Sequence, residues 1–402
     1  MSTESFAASA AAPPSPGADK AVGKPRAGRL PTLTGMRFPA AFLVFLFHSS
    51  LPFPTLRLFA DNGTENKFNQ IFAQSGAVGV AFFFILSGFV LTWSARPGDT
   101  ARAFWRRRFV KIVPNYVLAW TLAMVLIFAD TKAWQAVTDL FMLQAWVPNV
   151  TANFSLDSPS WSLSAEALFY LAFPVLYWLS RRIPDRRLWL ATGGTVAAIV
   201  LTPIFTYAVL PFGSPGVPNG YTQSVNYYWF NYVFPPTRML DFLLGILVAR
   251  AVMSGRWRNI GMLWSSLLLA GAAVAAHYVS FLYGLRAVWV VPAALLIAAG
   301  AIADDQGRFT IFRNRAMTWL GEISFAFYLL HFIVLSYTRK ELPARLFSTP
   351  ETIGLMAGEL AVSILLAWAM YSLVELPITK AWSRPRRKTP AAPVIPHQRA
   401  EV

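Results

Sequence analysis

Long apolar runs alternate with short polar, often basic stretches from residue 34 to residue 375. Most runs are close to the ~20 residues an α-helix needs to cross a hydrocarbon core of about 30 Å. Ten spans are read, at 34–52, 72–94, 112–130, 160–179, 188–210, 236–253, 259–280, 285–303, 317–338 and 353–375. A further apolar stretch at 133–148 is shorter, with Asp139 inside it and Lys132 at its edge. The pattern predicts an all-α polytopic membrane protein of about ten transmembrane helices.

Basic residues set the expected topology, since cytoplasmic loops are enriched in Lys and Arg. Arg96 to Lys111 holds six of them, and Arg181, Arg182, Arg186 and Arg187 follow the fourth span. With both segments on the cytoplasmic side, only two crossings lie between them, so 133–148 is expected to be an outer re-entrant or interfacial piece. Both termini are then cytoplasmic. Inner segments hold 26 of the 35 Lys and Arg residues and outer segments seven. The net charge of +16 therefore records topology and contact with anionic lipid, and nucleic acid is not expected as a partner. The predicted location is the cytoplasmic (inner) membrane of a bacterial cell, with multiple passes.

Composition agrees. Of 402 residues 55% are hydrophobic and only 13% charged, where soluble domains carry about 25% charged; mean hydropathy is +0.46. The absence of cysteine excludes disulfides, thiolate metal sites and a cysteine nucleophile. Residues 1–30 and 380–402 are basic and rich in small residues and Pro, and read as disordered tails around a membrane domain at 31–379. No apolar h-region opens the chain, so no cleaved signal peptide is expected.

Ionisable groups inside a bilayer cost at least about 2.5 kcal/mol each and are functional candidates by default. In TGMRFPAAFLVFLFHSS, Arg37 and His48 are 11 residues apart, which puts them on one helical stripe about 16 Å apart along the axis. Arg37 falls near the cytoplasmic mouth and His48 deeper. Alternatively, Arg37 snorkels to lipid phosphates and His48 makes a helix–helix hydrogen bond. SPSWSLSAEALFYLAFP puts Glu166 in the fourth span beside Trp161 and Tyr170; LGEISFAFYLLHFIVL puts Tyr328 and His331 in the ninth. Counted from their own ends, His48, Glu166 and His331 fall in one layer of the outer half-membrane. FWRRRFVKIVP sets Arg106, Arg107, Arg108 and Lys111 at the inner end of the third span. Such a cluster suits phosphates, because guanidinium offers paired donors, although topology alone also produces such a run. Arg238 and Asp241, one turn apart, are weaker candidates that can simply pair. No Walker loop, HExxH, GxSxG or dinucleotide fingerprint occurs in a supporting context, and no metal site or bound cofactor is expected.

Taken together these segments resemble acyltransferase family 3, the integral membrane O-acyltransferases. LTGMRFPAAFLVFLFHS is similar to the family's opening helix, with Arg37 and His48 at its Arg and His positions. GVAFFFILSGFVL is similar to its second helix and FWRRRFVKIVPNY to its basic motif. PSWSLSAEALFY is similar to its Trp-Ser-Leu-Ser-x-Glu motif, and LGEISFAFYLLH to its late helix; YSLVELP resembles the usual ending. The match runs over about residues 31–380. Two departures stand out. Glu166 is followed by Ala167 and Leu168 where a second Glu and a Gln are common, and Lys111 stands where Arg is common. No hydrolase-like domain follows the membrane part, unlike in longer members, which disfavours a chain that carries its own extracytoplasmic transferase. The Ser-Ala-Glu-Ala-Leu-Phe-Tyr wording is closer to members that acylate macrolides and related natural products than to those that modify surface polysaccharide.

The resemblance implies transfer of an acetyl or short acyl group from cytoplasmic acyl-CoA to a hydroxyl of a glycan or a glycosylated or macrolide product. On that reading Arg106, Arg107, Arg108 and Lys111 hold the CoA phosphates, and Arg37 guards the pantetheine entrance. His48 is the general base, with Glu166 orienting it, or the acyl carrier. Tyr328, His331, Trp161 and Arg238 contact the substrate or its oxyanion. Two other classes fit the same helix count. A secondary transporter also has midplane charges but consumes no acyl-CoA, and a lipid-binding scaffold would tolerate loss of His48.

Overall fold

The computed structural model describes residues 28–53, 56–96, 98–213, 224–342 and 345–382. Among these, ten helices correspond one to one with the expected spans, and there is no strand beyond an isolated bridge between Phe59 and Phe347. They are α1 (Pro31–Ser49), α2 (Ser75–Trp93), α3 (Ala101–Leu126), α4 (Trp161–Arg182), α5 (Leu188–Val209), α6 (Pro235–Met253), α7 (Gly261–Ala275), α8 (Val288–Asp305), α9 (Arg315–Glu341) and α10 (Thr349–Met370). Eight of the ten lie in helical stretches long and apolar enough to cross a membrane. The exceptions are α1, whose 19 residues include Arg37 and His48, and α7, which is only 15 residues long. The protein is an all-α polytopic membrane protein.

The expected tails lie mostly outside the described residues, with two corrections at their inner edges. Gly28, Arg29 and Leu30 are placed against the bundle, and residues 380–382 belong to a helix, Leu376–Trp382, that continues α10 through a π-turn at Tyr371–Glu375.

The stretch 133–160 has no helix long enough to cross a membrane. It forms a two-turn helix (Ala133–Leu140), a left-handed residue at Met142 (φ 57°) and short helical turns before α4 begins. Trp134, Val137 and Phe141 point outward, while Ala136 and Asp139 are buried. A hydrogen-bond chain fixes its inner face. Tyr116 donates to Asp139 Oδ1 at 2.7 Å, Ser160 to the same oxygen at 3.1 Å, Gln144 Nε2 to Ser160 at 3.1 Å, and Ser164 to Gln144 Oε1 at 2.9 Å. Each bond satisfies a buried polar group that would otherwise cost about 1–3 kcal/mol, so the first turn of α4 is held rigidly.

Lipid gives helices no hydrophobic reason to associate, so close backbone approach through small residues takes over. Gly88 of α2 and Gly245 of α6 face each other so closely that a Cβ on either would stand 2.0 Å from a carbonyl oxygen of the other helix. Gly321 of α9 meets the carbonyl of Thr34 on α1 in the same way, at 1.9 Å. Further along the same pair His48 meets His331, so α1 and α9 run parallel. The start of α1 has no side-chain cap of its own; Asp304 at the end of α8 accepts from the Thr32 backbone N–H (2.9 Å) and hydroxyl (2.7 Å) instead.

Candidate active site

His48 and His331 form the deepest polar contact between α1 and α9. Their Nδ1 and Nε2 atoms are 3.0 Å apart, and both residues are buried. The other nitrogen of His331, Nδ1, lies 3.2 Å from the Phe327 carbonyl one turn back. A carbonyl only accepts, so His331 carries its proton on Nδ1 and its Nε2 is a lone pair. His48 must then donate from Nδ1, which leaves His48 Nε2 unprotonated. With both rings neutral, the pair thus has one donor direction, and His48 Nε2 is left as a lone pair. Phe45, Phe47, Phe327 and Phe332 surround it with ring centroids 5.0–6.4 Å away.

One turn before His331, the Tyr328 hydroxyl is 2.9 Å from Ser162 Oγ, and both hydroxyls reach the Pro159 carbonyl, at 3.2 and 3.0 Å. The Tyr328 ring stands 6.0 Å from that of His331. This hydroxyl pair borders a small chamber of about 30 Å³, which also touches Glu166 and Ser324. The chamber shares Phe83, Glu166 and Phe325 with a larger cavity of about 400 Å³. Arg29, Arg37, Arg108 and Lys111 line that cavity, with Glu166 as its one carboxylate.

The structure sorts the expected site residues. His48 and His331 do share a layer and touch. Glu166 does not join them: its carboxylate accepts from Tyr170 at 3.0 Å and faces the electrostatic field of Arg37, Lys111 and Arg108. Glu166 therefore makes no bond to His48, and His331 does. Of the basic run, Arg108 and Lys111 line the large cavity, whereas Arg106 donates to the Trp382 carbonyl at 2.8 Å and Arg107 is ion-paired with Asp99. Helical phase explains only part of this. At 100° per residue, 106 points almost opposite the face shared by 108 and 111, whereas 107 lies about 40° from 111 and is drawn off by its pair with Asp99.

Trp161 and Arg238 also lie elsewhere than expected. Phe84 forms part of the chamber wall, and both residues pack behind it. Trp161 meets it edge-on at 6.3 Å, and the Arg238 guanidinium sits 4.9 Å over the ring centroid. Arg238 pairs with Asp241 at 3.2 Å, and Asp241 also holds Arg286 at 2.9 Å. All three are buried. This ion cluster joins α6 to the turn before α8 and touches neither cavity.

Four contributors escaped the sequence reading. Arg29 fell within the expected tail. Ser162 lay inside a quoted motif but had no assigned partner. Arg286 was counted only as an outer charge. Glu375, in the π-turn after α10, accepts from Asn115 at 2.8 Å and reaches the field of Lys111; the YSLVELP motif that contains it was the available signal.

Beyond the helical spans, two acids near the start of α4 are perturbed. Burial pushes Asp139 up to about 6 against the opposing bonds from Tyr116 and Ser160. Burial and then the neighbouring charge of Asp139 raise Asp157, whose two oxygens have no hydrogen-bond partner. Among the described residues no group of three or more His, Asp and Glu could hold a metal ion.

Comparison with known proteins identifies the family. The acyltransferase-3 family model, described as an acyltransferase domain, matches residues 30–371. The chain is 40% identical over 384 residues to the acyltransferase MdmB of Streptomyces mycarofaciens, covering 92% of this chain and 96% of that one. It is 24% identical to the peptidoglycan O-acetyltransferase OatA of Listeria monocytogenes and 25% identical to the putative peptidoglycan O-acetyltransferase YrhL of Bacillus subtilis. In both cases 87% of this chain aligns, and the alignment spans 56% and 55% of those longer proteins. No solved structure matches the chain. With the family model spanning most of the bundle and both histidines inside it, the chain belongs to acyltransferase family 3 and is an enzyme that transfers acyl groups.

Proposed function

We propose that the protein moves a short acyl group, such as acetyl, from cytoplasmic acyl-CoA to a hydroxyl of a sugar-bearing or macrolide acceptor. The observation that carries the reading is the His48–His331 pair, 6.0 Å ring to ring from Tyr328, which lines a chamber that shares Phe83, Glu166 and Phe325 with a cation-lined cavity. Arg29, Arg37, Arg108 and Lys111 suit the phosphates of CoA at the cavity mouth. The thioester end then points inward along Phe83 and Phe325 to the Ser162–Tyr328 hydroxyls, one of which can donate to the carbonyl oxygen by giving up its bond to the Pro159 carbonyl or to the other hydroxyl.

His48 Nε2 takes the proton of the acceptor hydroxyl as its oxygen attacks the thioester carbon. The new ester C–O bond forms, the C–S bond breaks, and the proton passes to the departing CoA sulfur. His331 holds the tautomer and shares the imidazolium charge through the 3.0 Å bond. The donor enters from the side that carries the basic run, which this reading places in the cytoplasm of a bacterial cell with both termini there; the acceptor meets His48 from the outer side. The higher identity to the acyltransferase MdmB (40%) than to the two peptidoglycan O-acetyltransferases (24% and 25%) supports an acceptor other than peptidoglycan. Purified protein in liposomes, supplied with acetyl-CoA and a set of hydroxylated macrolides and glycans, should release CoA only when acceptor is present. Release that is unchanged in folded His48→Ala protein overturns the assignment.

A further inference from the structure

The donor path narrows abruptly on its way inward. The mouth cavity measures about 400 Å³ and the inner chamber about 30 Å³, and the two share Phe83, Glu166 and Phe325. The inner chamber is thus less than a tenth of the size of the mouth cavity and suits a small terminal group. Its remaining lining is divided: Ser162, Ser324 and Tyr328 form a polar wall, and Val80, Phe84 and Leu163 an apolar one.

That wall is not free to yield. Phe84 is held edge-on by Phe169 at 5.0 Å and Trp161 at 6.3 Å, and it is covered by the Arg238 guanidinium at 4.9 Å. Arg238 is itself tied into the buried cluster with Asp241 and Arg286. Phe83 meets the Tyr328 ring edge-on at 5.8 Å, so its ring stands between the mouth and the hydroxyl pair. Leu163 is fixed by the first turn of α4, which the Asp139–Ser160–Gln144 chain anchors. Packed interiors respond to an extra methylene by straining rather than flowing.

We propose that Phe83 and Phe325 form an acyl-length stop, which admits acetyl to the inner chamber and excludes four-carbon and longer chains. Glu166 marks the same boundary from its polar side. This inference rests on the acyl-CoA reading above and adds its chain-length selectivity. The buried Arg238–Asp241–Arg286 cluster has a role here as well: it stiffens the wall behind Phe84 without touching the donor. One extra methylene in a fitted apolar pocket is typically worth about 10–200-fold in discrimination, and butyryl exceeds acetyl by two.

The test needs no acceptor. Binding of CoA, acetyl-, propionyl-, butyryl- and hexanoyl-CoA to the full-length protein in lipid nanodiscs is measured by calorimetric titration. Simple apolar partition would tighten binding as the chain lengthens. The expected order is the reverse, with butyryl-CoA at least about tenfold weaker than acetyl-CoA. In Phe83→Ala, or independently Phe325→Ala, the ratio of butyryl to acetyl affinity should rise about tenfold or more. Butyryl- or hexanoyl-CoA binding to wild type as tightly as acetyl-CoA overturns the stop, whether or not the variants fold. Wild-type discrimination that survives unchanged in both folded variants overturns its assignment to these two residues. If CoA and every acyl-CoA fail to bind, the donor reading itself falls and the stop falls with it.

Discussion

His48 donates its Nδ1 proton to Nε2 of His331 across 3.0 Å, and His331 in turn donates to the Phe327 carbonyl at 3.2 Å. The Phe327 carbonyl, acting through His331, thus helps to set the His48 tautomer, together with the bond of the His48 ring to the Val44 backbone. His48→Ala should lower turnover about 10²–10⁴-fold, the usual contribution of a general base. His331→Ala should also cost turnover, because it loosens the His48 tautomer. The double variant should be little worse than His48→Ala alone, as residues acting as one unit are not additive. Turnover measured for the four proteins checks this, and independent, additive losses would refute the coupling of the two rings.

The mouth of the large cavity makes a sharper distinction within one helix. Arg108→Ala and Lys111→Ala should each raise the KM for the donor about tenfold or more, the worth of a charge-assisted contact of about 1.5–3 kcal/mol. Arg107→Ala, which breaks a pair with Asp99, should change KM much less. Donor titration in the three variants decides the matter, and equal effects at 107, 108 and 111 would mean the run acts as a diffuse field.

Asp139 gives the stretch before α4 a pH dependence. The folded state keeps its proton up to about pH 6, whereas an unfolded chain releases it near pH 3.9. Between those values the folded state binds more protons. Stability from this group is thus complete below about pH 4 and declines as pH rises to about 6, by at most about 3 kcal/mol. Asp139→Asn keeps an oxygen for Tyr116 and Ser160 but cannot titrate, so it should flatten that slope. Thermal-unfolding midpoints between pH 4.5 and 7.5 for both proteins provide the comparison.

Gly321 tests the packing that brings the histidines together. A Cβ there would stand 1.9 Å from the Thr34 carbonyl oxygen, a backbone atom that cannot step aside. Gly321→Ala should therefore push α9 from α1, cost about 3 kcal/mol or more and weaken the His48–His331 contact with it. Gly358→Ala in α10, where no atom lies within 4 Å, should be neutral or slightly stabilising, since Ala is the better helix former. Unfolding midpoints and turnover of the two variants check the contrast.

The sequence by itself determined the ten helices, the break at 133–148 where no long helix forms, and the nearness in depth of His48 and His331. Each follows from quantities local to a helix: a run of about 20 apolar residues, a 1.5 Å rise per residue and the expense of charge in lipid. It also supplied the motifs that mark the family. Tertiary structure decided which groups touch. Equal depth could not say that His48 faces His331 while Glu166 turns to Tyr170 and the cations of the mouth, because the rotation of each helix is set by where small residues such as Gly321, Gly88 and Gly245 let backbones close. Nor could the basic run reveal that only Arg108 and Lys111 look inward, or that Arg29 joins them from the chain's start. Depth is a property of one helix and its solvent; contact is a property of two, and only their packing fixes it.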